Sequence, residues 1–428
     1  MDSPHLCRIV KLPHHTPTKR GEPMDTIRQT LLFSFDELYE MQTKSRLELI
    51  LNEITIPVQF RNLFKASDER GPKGYSPLSM LYAVIAMRIE GIPNVSSLVR
   101  RLKTDLTFRY VCGFEVLGTT PSDATFSRFM SKLEKSEILD LIFNAEVDQA
   151  VELGLVELES AAVDATQIDA FEKPVPKSKI LDDGLHPNWG SKRDTNGNQI
   201  RWFGWKYHLI CDTISGLPIG YHVTPASVHD SKAAEYLMQS FAERKIKIRP
   251  KYWMFDSGYD AVWLYETVIE KHKATPLIAF NPKGAFAAPE GFDDALHPVC
   301  SGGYKLTYWG KDGDYLKFRC PHATGHVECS HGMAWCSNSN YGYCLKLNWR
   351  KNPRLLNYPL RGSEKWQKLY NKRTSVERLN NLLKNNLGAN NLRSAGIEKA
   401  KTWLLISMIA LYAGTKVIFK KRQLKQAA

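Results

Sequence analysis

Two short apolar runs that each end on a carboxylate constrain this chain more than any other feature. Ser160-Ala161-Ala162-Val163-Asp164-Ala165-Thr166 reads as a buried strand closing on an acid. Lys251-Tyr252-Trp253-Met254-Phe255-Asp256-Ser257-Gly258-Tyr259 reads the same way, with a glycine turn after the acid. Removing a carboxylate from water at the end of an apolar strand is costly unless it is paired or ligates a metal.

A third acid lies in the run Tyr370-Asn371-Lys372-Arg373-Thr374-Ser375-Val376-Glu377, which continues through Arg378 to Lys384. At about 100° per residue, one continuous helix brings Tyr370, Arg373, Glu377 and Lys384 onto one face over roughly four turns. Leu379, Leu382 and Leu383 fall outside that face and are free to be buried. One acid among two cations suits a metal ion beside a phosphodiester, with Glu377 ligating the metal and Arg373 and Lys384 meeting phosphate oxygens. The segment alone equally describes a solvated face with an Arg373–Glu377 ion pair. With Asp164 and Asp256 added, three carboxylates stand ready for hard cations such as Mg²⁺. Two metals in one such cluster are the arrangement for in-line attack on a phosphodiester.

In these motifs the chain resembles bacterial insertion-sequence transposases of the DDE superfamily, in the branch carrying a Tyr-Arg-Glu-Lys signature. Asp164 in Val-Asp-Ala-Thr matches the first acid, Asp256 in Asp-Ser-Gly-Tyr the second and Glu377 the third, with Tyr370, Arg373 and Lys384 at the family's spacing. Phe203-Gly204-Trp205-Lys206-Tyr207-His208-Leu209 is similar to the family's second strand, and Val228-His229-Asp230-Ser231 to its strand-to-helix turn. The match runs from about residue 70 to about residue 415.

The resemblance implies an α/β fold: an RNase H-like catalytic core with a β-rich insertion, preceded by an all-α N-terminal domain. The first acid would stand on the first strand and the second on the fourth. It also implies a transposase that cleaves the terminal inverted repeats of its element and joins the freed 3′-OH ends to target DNA. Asp164, Asp256 and Glu377 would hold two Mg²⁺ ions, with Mn²⁺ as a substitute. Arg373 and Lys384 would grip phosphates near the scissile bond, Tyr370 would hydrogen-bond one, and Lys372 and Arg378 would add contacts. A hairpin intermediate and a homodimer in a synaptic complex come from the resemblance alone. Two other classes use the same residues: a metal-dependent nuclease that cuts without joining, and an inactive DNA-binding derivative. The presence of all three acids and their basic partners speaks against the latter.

Charge distribution points to the same end of the chain. The net charge is +13, yet residues 341–428 hold 19 Lys and Arg against three acids, and residues 1–340 hold 39 against 42. The basic excess thus surrounds the Glu377 segment, as expected if a polyanion lies across it. Arg350, Lys351, Arg354, Arg361, Lys365 and Lys368 lead in and Arg393 follows. Several are expected on phosphates, which fix register without reading bases. Hydrophobic content of 43% and charged content of 24% are those of a soluble globular protein. An N-terminus without an apolar segment predicts no signal peptide. The longest uncharged stretch, Thr402 to Thr415, is too short to span a bilayer and is expected as a buried closing helix. A cytoplasmic, nucleoid-associated protein without membrane contact is expected.

Along the chain, residues 1–30 form an expected flexible arm, rich in Pro, His and basic residues. Residues 31–155 are helical, with a capping signal at Ser122 or Asp123. The resemblance gives this domain a role in recognising DNA ends. The residues show only a helical bundle with no net charge over 1–150, which counts against its being the main DNA anchor. The first part of the core spans 156–281, with a polar loop over Lys173–Gln199 and strands at Trp202–Asp212, Leu217–Thr224 and Pro276–Phe280. Helices are expected at Ser231–Arg244 and Ala261–Lys271. Its second part spans 363–419, and 420–428 form a basic tail.

Other acids compete for the site. Asp169 points to the opposite strand face from Asp164, Asp230 is expected to cap a helix, and Asp212 and Asp260 sit near strand ends. His229 is expected as a turn or core histidine. The insertion, 282–362, holds Cys300, Cys320, His322, His326, Cys329, His331, Cys336 and Cys344. A zinc site on Cys320, Cys329, Cys336 and Cys344 is one use. Loose spacing without a Cys-x-x-Cys pair leaves reduced, partly buried thiols as the other.

Overall fold

The computed structural model describes residues 33–64, 74–181, 183–193, 196–244, 249–282 and 287–427. The expected arm over 1–30 lies outside these residues. By compactness the chain divides after Lys44. In the first unit, α1 (Phe35–Glu40) begins with a reciprocal cap between Ser34 and Glu37.

The second unit begins with α2 (Arg46–Leu51), α3 (Val58–Leu63), α4 (Pro77–Ile89), α5 (Val95–Thr104), α6 (Leu106–Val111), α7 (Asp123–Glu134) and α8 (Ile138–Glu152). Ser45, Ser76, Asn94, Asp105 and Ser122 each accept a first-turn backbone N–H, so Ser122 rather than Asp123 is the cap before α7. Buried Met80, Leu81, Val84, Ile85 and Met87 of α4 share one core with the sheet that follows.

Six strands make that sheet: β1 (Ser160–Asp169), β2 (Asn188–Arg193), β3 (Gln199–Asp212), β4 (Pro218–Pro225), β5 (Tyr252–Phe255) and β6 (Thr275–Ile278). β2 arises inside the segment expected as a polar loop and pairs with the first half of β3, while β4 pairs with its second half. β1 pairs antiparallel with β3 and parallel with β5, which runs parallel to β6. With β2 set aside, the order β4-β3-β1-β5-β6 is that of the RNase H-like core, and Asp256 follows its fourth strand. Between β4 and β5 runs α9 (Asp230–Glu243), and after β5 comes α10 (Val262–Glu266), whose last turn widens to a π-turn over Thr267–Lys271.

The insertion is β-rich, as expected, with an antiparallel sheet of β7 (Thr307–Asp312), β8 (Tyr315–Arg319) and β9 (Cys344–Asn348). Its core is small: Leu306, Leu316, Phe318 and Leu356. It returns to the main sheet through polar anchors. Arg354 donates to both carboxylate oxygens of buried Asp260, at 3.1 and 2.8 Å, and Arg361 donates to the Ile278 carbonyl at 3.2 Å. Two arginines expected to face phosphates are therefore occupied inside the protein.

The segment expected as one helix from Tyr370 to Lys384 is not continuous. α11 (Glu364–Tyr370) tightens into a 3₁₀ turn at Asn371–Arg373, α12 (Thr374–Asn381) follows, and a π-turn spans Leu382–Asn386. Widening the last turn keeps Leu383 buried beside Leu379 while turning Lys384 toward β1. The chain closes with α13 (Ile397–Ala427), and the stretch expected as a basic tail is its final turns. By length and apolarity α13 passes for a membrane span, yet 67% of its apolar window is buried inside the protein. At its centre Lys416, fully buried, pairs with equally buried Glu146 of α8 at 2.7 Å. The N-terminal helices and the six-stranded sheet are thus joined through α13.

Candidate active site

Strand register does the first part of the assembly. β1 and β5 run parallel, and their last paired rung is Ala162 with Met254. Asp164 and Asp256 each lie two residues beyond that rung, so they stand level, with side chains on the same face. Adjacent strands are about 4.8 Å apart, which makes the two carboxylates neighbours. β1 runs on to Asp169, so that Asp164 stands midway along its strand rather than closing it, while Asp256 directly follows β5. Asp256 is steadied by the Gly258 amide, which donates to its Oδ1 at 2.8 Å.

Both aspartates are harder to ionise than usual, and for Asp164 the neighbouring Asp256 is one of the causes. Burial, and after it the negative charge of Asp256, push the Asp164 carboxyl up to about 7, against the pull of Arg373. Asp256 is raised as well, chiefly by burial, while the Gly258 amide and Arg373 draw it down. Buried Tyr259 stands close enough to both to have its hydroxyl held in the protonated form, first by desolvation and then by Asp230, Asp164 and Asp256. Among the described residues that hydroxyl has no hydrogen-bond partner.

Arg373 connects the aspartates to the third acid. Its guanidinium is hydrogen-bonded to Glu377, one turn on, and lies 5.8 Å from the Tyr370 ring centre. Burial lowers its basicity, but Tyr370, Glu377, Asp164 and Asp256 outweigh that and raise it. A single cation therefore sits among all three acids. Among the described residues no three His, Cys, Asp or Glu side chains form a ready-made cation cage. Glu377 instead turns its carboxylate to Arg373 and remains half exposed.

The donor set suits hard divalent cations. It consists of carboxylate oxygens, and the Asp164 carboxyl, raised first by burial and then by Asp256, is one whose ionised form a bound cation would favour. Metal ligation by all three would require Glu377 to leave Arg373.

Two of the four signature residues are placed differently from expectation. Tyr370 stacks on Trp366 at 4.4 Å between ring centres and donates to the Phe255 carbonyl at 3.2 Å. Its one proton is thus committed to the residue before Asp256 rather than to a phosphate. Lys384 donates to the Gln167 carbonyl at 2.9 Å and to Thr166 Oγ1 at 3.3 Å, which pins the π-turn to β1. That leaves one of its three donors for another group. Lys372 stays near the surface, 3.9 Å from Glu159, and Arg378 is exposed.

Asn380, which sequence reasoning passed over, touches the site directly. Its Nδ2 donates to Asp164 Oδ2 at 2.9 Å, and its buried Oδ1 has no partner among the described residues. It lies three residues beyond Glu377 on the same helical face, and that spacing was the available signal. The competing acids have other duties. Asp212 receives the Leu158 and Ser215 amides, and Asp260 holds Arg354. Asp230 pairs with Lys206 at 2.8 Å, and the cap expected of it falls to His229, whose ring accepts the Ser231 amide. Asp169 is exposed.

An RNase H-like sheet with acids level on adjacent strands and a third acid on a covering helix defines a protein of the DDE class. The family model described as Transposase DDE domain matches residues 159–413, and the chain belongs to that family of transposases. A second model, Transposase domain (DUF772), matches residues 36–132. No curated protein matches the chain. Among solved structures, a piggyBac transposase in a synaptic complex with hairpin DNA is similar over 88% of this chain and 75% of that one. Its sequence identity is 10% and its TM-score 0.37, a likeness too slight to carry fold or function.

Proposed function

We propose that this transposase cuts the terminal inverted repeats of its own insertion sequence and joins the freed 3′-OH ends to target DNA, using Asp164, Asp256 and Glu377 to hold two Mg²⁺ ions. The observation that carries the proposal is the level placement of Asp164 and Asp256, with Arg373 linking them to Glu377. When bound, such ions activate the attacking oxygen and neutralise the leaving one.

The remaining work belongs to the chain's own side chains. Arg373 holds Glu377 beside the aspartates while no cation is bound, and once released it offers a planar two-pronged donor to a phosphate oxygen pair. Tyr370 fixes the Phe255 carbonyl and so the approach of Asp256, and Asn380 fixes one oxygen of Asp164. Lys384 keeps the end of the Glu377 segment against β1. Exposed Arg378 and half-exposed Lys372 extend the basic surface along which the DNA backbone would run. A homodimer within the DNA complex completes the proposal.

Cleavage and joining are tested together on a labelled terminal-repeat duplex with plasmid target. Wild-type protein with Mg²⁺ is expected to yield nicked repeat ends and joined products. Asp256→Ala is expected to abolish both while binding the repeat within a few-fold of wild type in a gel-shift titration. Continued cutting by that variant refutes the assignment, and cutting without any joined product identifies a nuclease instead.

A further inference from the structure

Five cysteines of the insertion have no part in the proposed chemistry, and four of them line one small cavity. Cys300, Cys320, Cys329 and Cys336 line one cavity of ≈ 10 Å³, together with His322, Tyr304, Pro321, Val327 and Trp335. That volume is about what one water or one small ion needs. All four thiols are unpaired by disulfide.

The four approach from three different turns. Cys300 opens a tight turn in which its amide donates to the Tyr304 carbonyl at 3.0 Å and its carbonyl accepts the Gly303 amide at 2.9 Å. Cys320 follows β8 directly and is 5% exposed. Chain folds closely against it, since a Cβ added at Gly342 would lie 2.6 Å from the Cys320 Cβ and 3.3 Å from its Sγ. Cys329 and Cys336 come from the long connection between β8 and β9.

That connection is the reason to look for a staple. From Pro321 to Tyr343 its regular structure amounts to one 3₁₀ turn, Met333–Trp335. Irregular segments of this length inside a compact unit are uncommon unless something holds them. Four buried apolar side chains form the insertion's own core, which is little for a unit of this size. Sulfur donors exclude Mg²⁺ and select a softer ion, and four of them in a redox-inert tetrahedral set are a structural zinc site.

We propose that Cys300, Cys320, Cys329 and Cys336 bind one structural Zn²⁺ that holds the β8–β9 connection in place. Each thiol loses its proton to solvent as its sulfur bonds the ion, giving a four-thiolate complex and four released protons. No three of these sulfurs already stand as a closed ligand set, so binding draws them inward. The four thiols make up a tetrahedral set without His322, whose Nδ1 lies 3.1 Å from the Val327 carbonyl and 3.3 Å from the Cys329 amide. Cys344, expected in the set from sequence, is exposed on β9 and does not line the cavity; Cys300 takes its place.

The test is the metal content of full-length protein expressed with zinc in the medium and purified without chelator. Elemental analysis is expected to give about one zinc per chain, and X-ray absorption a shell of four sulfurs at about 2.3 Å. Cys329→Ser and Cys336→Ser are expected to lose most of the zinc, while Cys344→Ser and Asp164→Asn keep it. The last variant separates this site from the proposed catalytic one. Less than about a tenth of a zinc per chain in wild type, a nitrogen-and-oxygen shell, or zinc lost with Asp164→Asn but kept by Cys329→Ser would each overturn the proposal. Should the serine variants prove insoluble, the sulfur shell of the wild-type protein decides.

Discussion

Asn380 shows how a neutral side chain can matter in a site of acids. Its Nδ2 donates to Asp164 Oδ2 from a buried position, so one carboxylate oxygen is fixed in direction. Outer partners of ligating groups are typically worth 10–100-fold in metal affinity. Asn380→Leu is therefore expected to weaken Mn²⁺ binding, measured by the paramagnetic signal of free Mn²⁺, by about that factor. If Asn380→Leu binds Mn²⁺ like wild type while Asp164→Asn does not, Asn380 has no such role. Equal binding by all three would instead remove Asp164 from the metal site. Tyr370 belongs with Asn380, because its hydroxyl steadies the Phe255 carbonyl beside Asp256.

Helix α13 is the element on which the two halves of the second unit depend. Lys416, at its centre, reaches Glu146 at 2.7 Å, Thr55 Oγ1 at 3.2 Å, the Glu53 carbonyl and Gln149. A buried pair adds little net stability, but losing one partner strands a charge in the interior. Lys416→Met is expected to cost about 3–5 kcal/mol in urea unfolding. Lys416→Met combined with Glu146→Leu should recover most of that loss, and a double variant no more stable than the single would show that the pair's other contacts dominate. Arg88 of α4 makes a second tie, donating to the Gly388 carbonyl at 2.8 Å and lying 4.2 Å from the Trp403 ring centre. Through Gly388 the N-terminal helices touch the turn that ends the Glu377 segment.

At the scale of the whole molecule, uneven charge becomes a prediction about DNA. Arg354 and Arg361 are spent inside the fold, whereas Lys351, Lys365 and Lys368, in the segment that leads into the Glu377 helix, are exposed. Lys368 has only a solvated partner, Glu364, at 3.4 Å. Replacing these three lysines by alanine is expected to lower the slope of log affinity against log salt by about 3, and to weaken binding to repeat and random duplexes alike. An unchanged slope in fluorescence anisotropy would place the DNA elsewhere.

Sequence by itself determined what is local. The apolar run before Asp256 ends as read, whereas the strand through Asp164 continues to Asp169. A cap at Ser122 or Asp123 and a buried closing helix through Thr402–Thr415 were legible because caps and apolar runs act over a few residues. Tertiary structure decided what depends on neighbours distant in the chain. Strand register set Asp164 level with Asp256, and Leu383 packing opened the π-turn that sent Lys384 to β1. The return of the insertion spent two arginines on the sheet, and the folding of three turns put Cys300 rather than Cys344 beside the other thiols. Periodicity records which face of an element is apolar, whereas the partner that face meets is fixed only when the chain closes on itself.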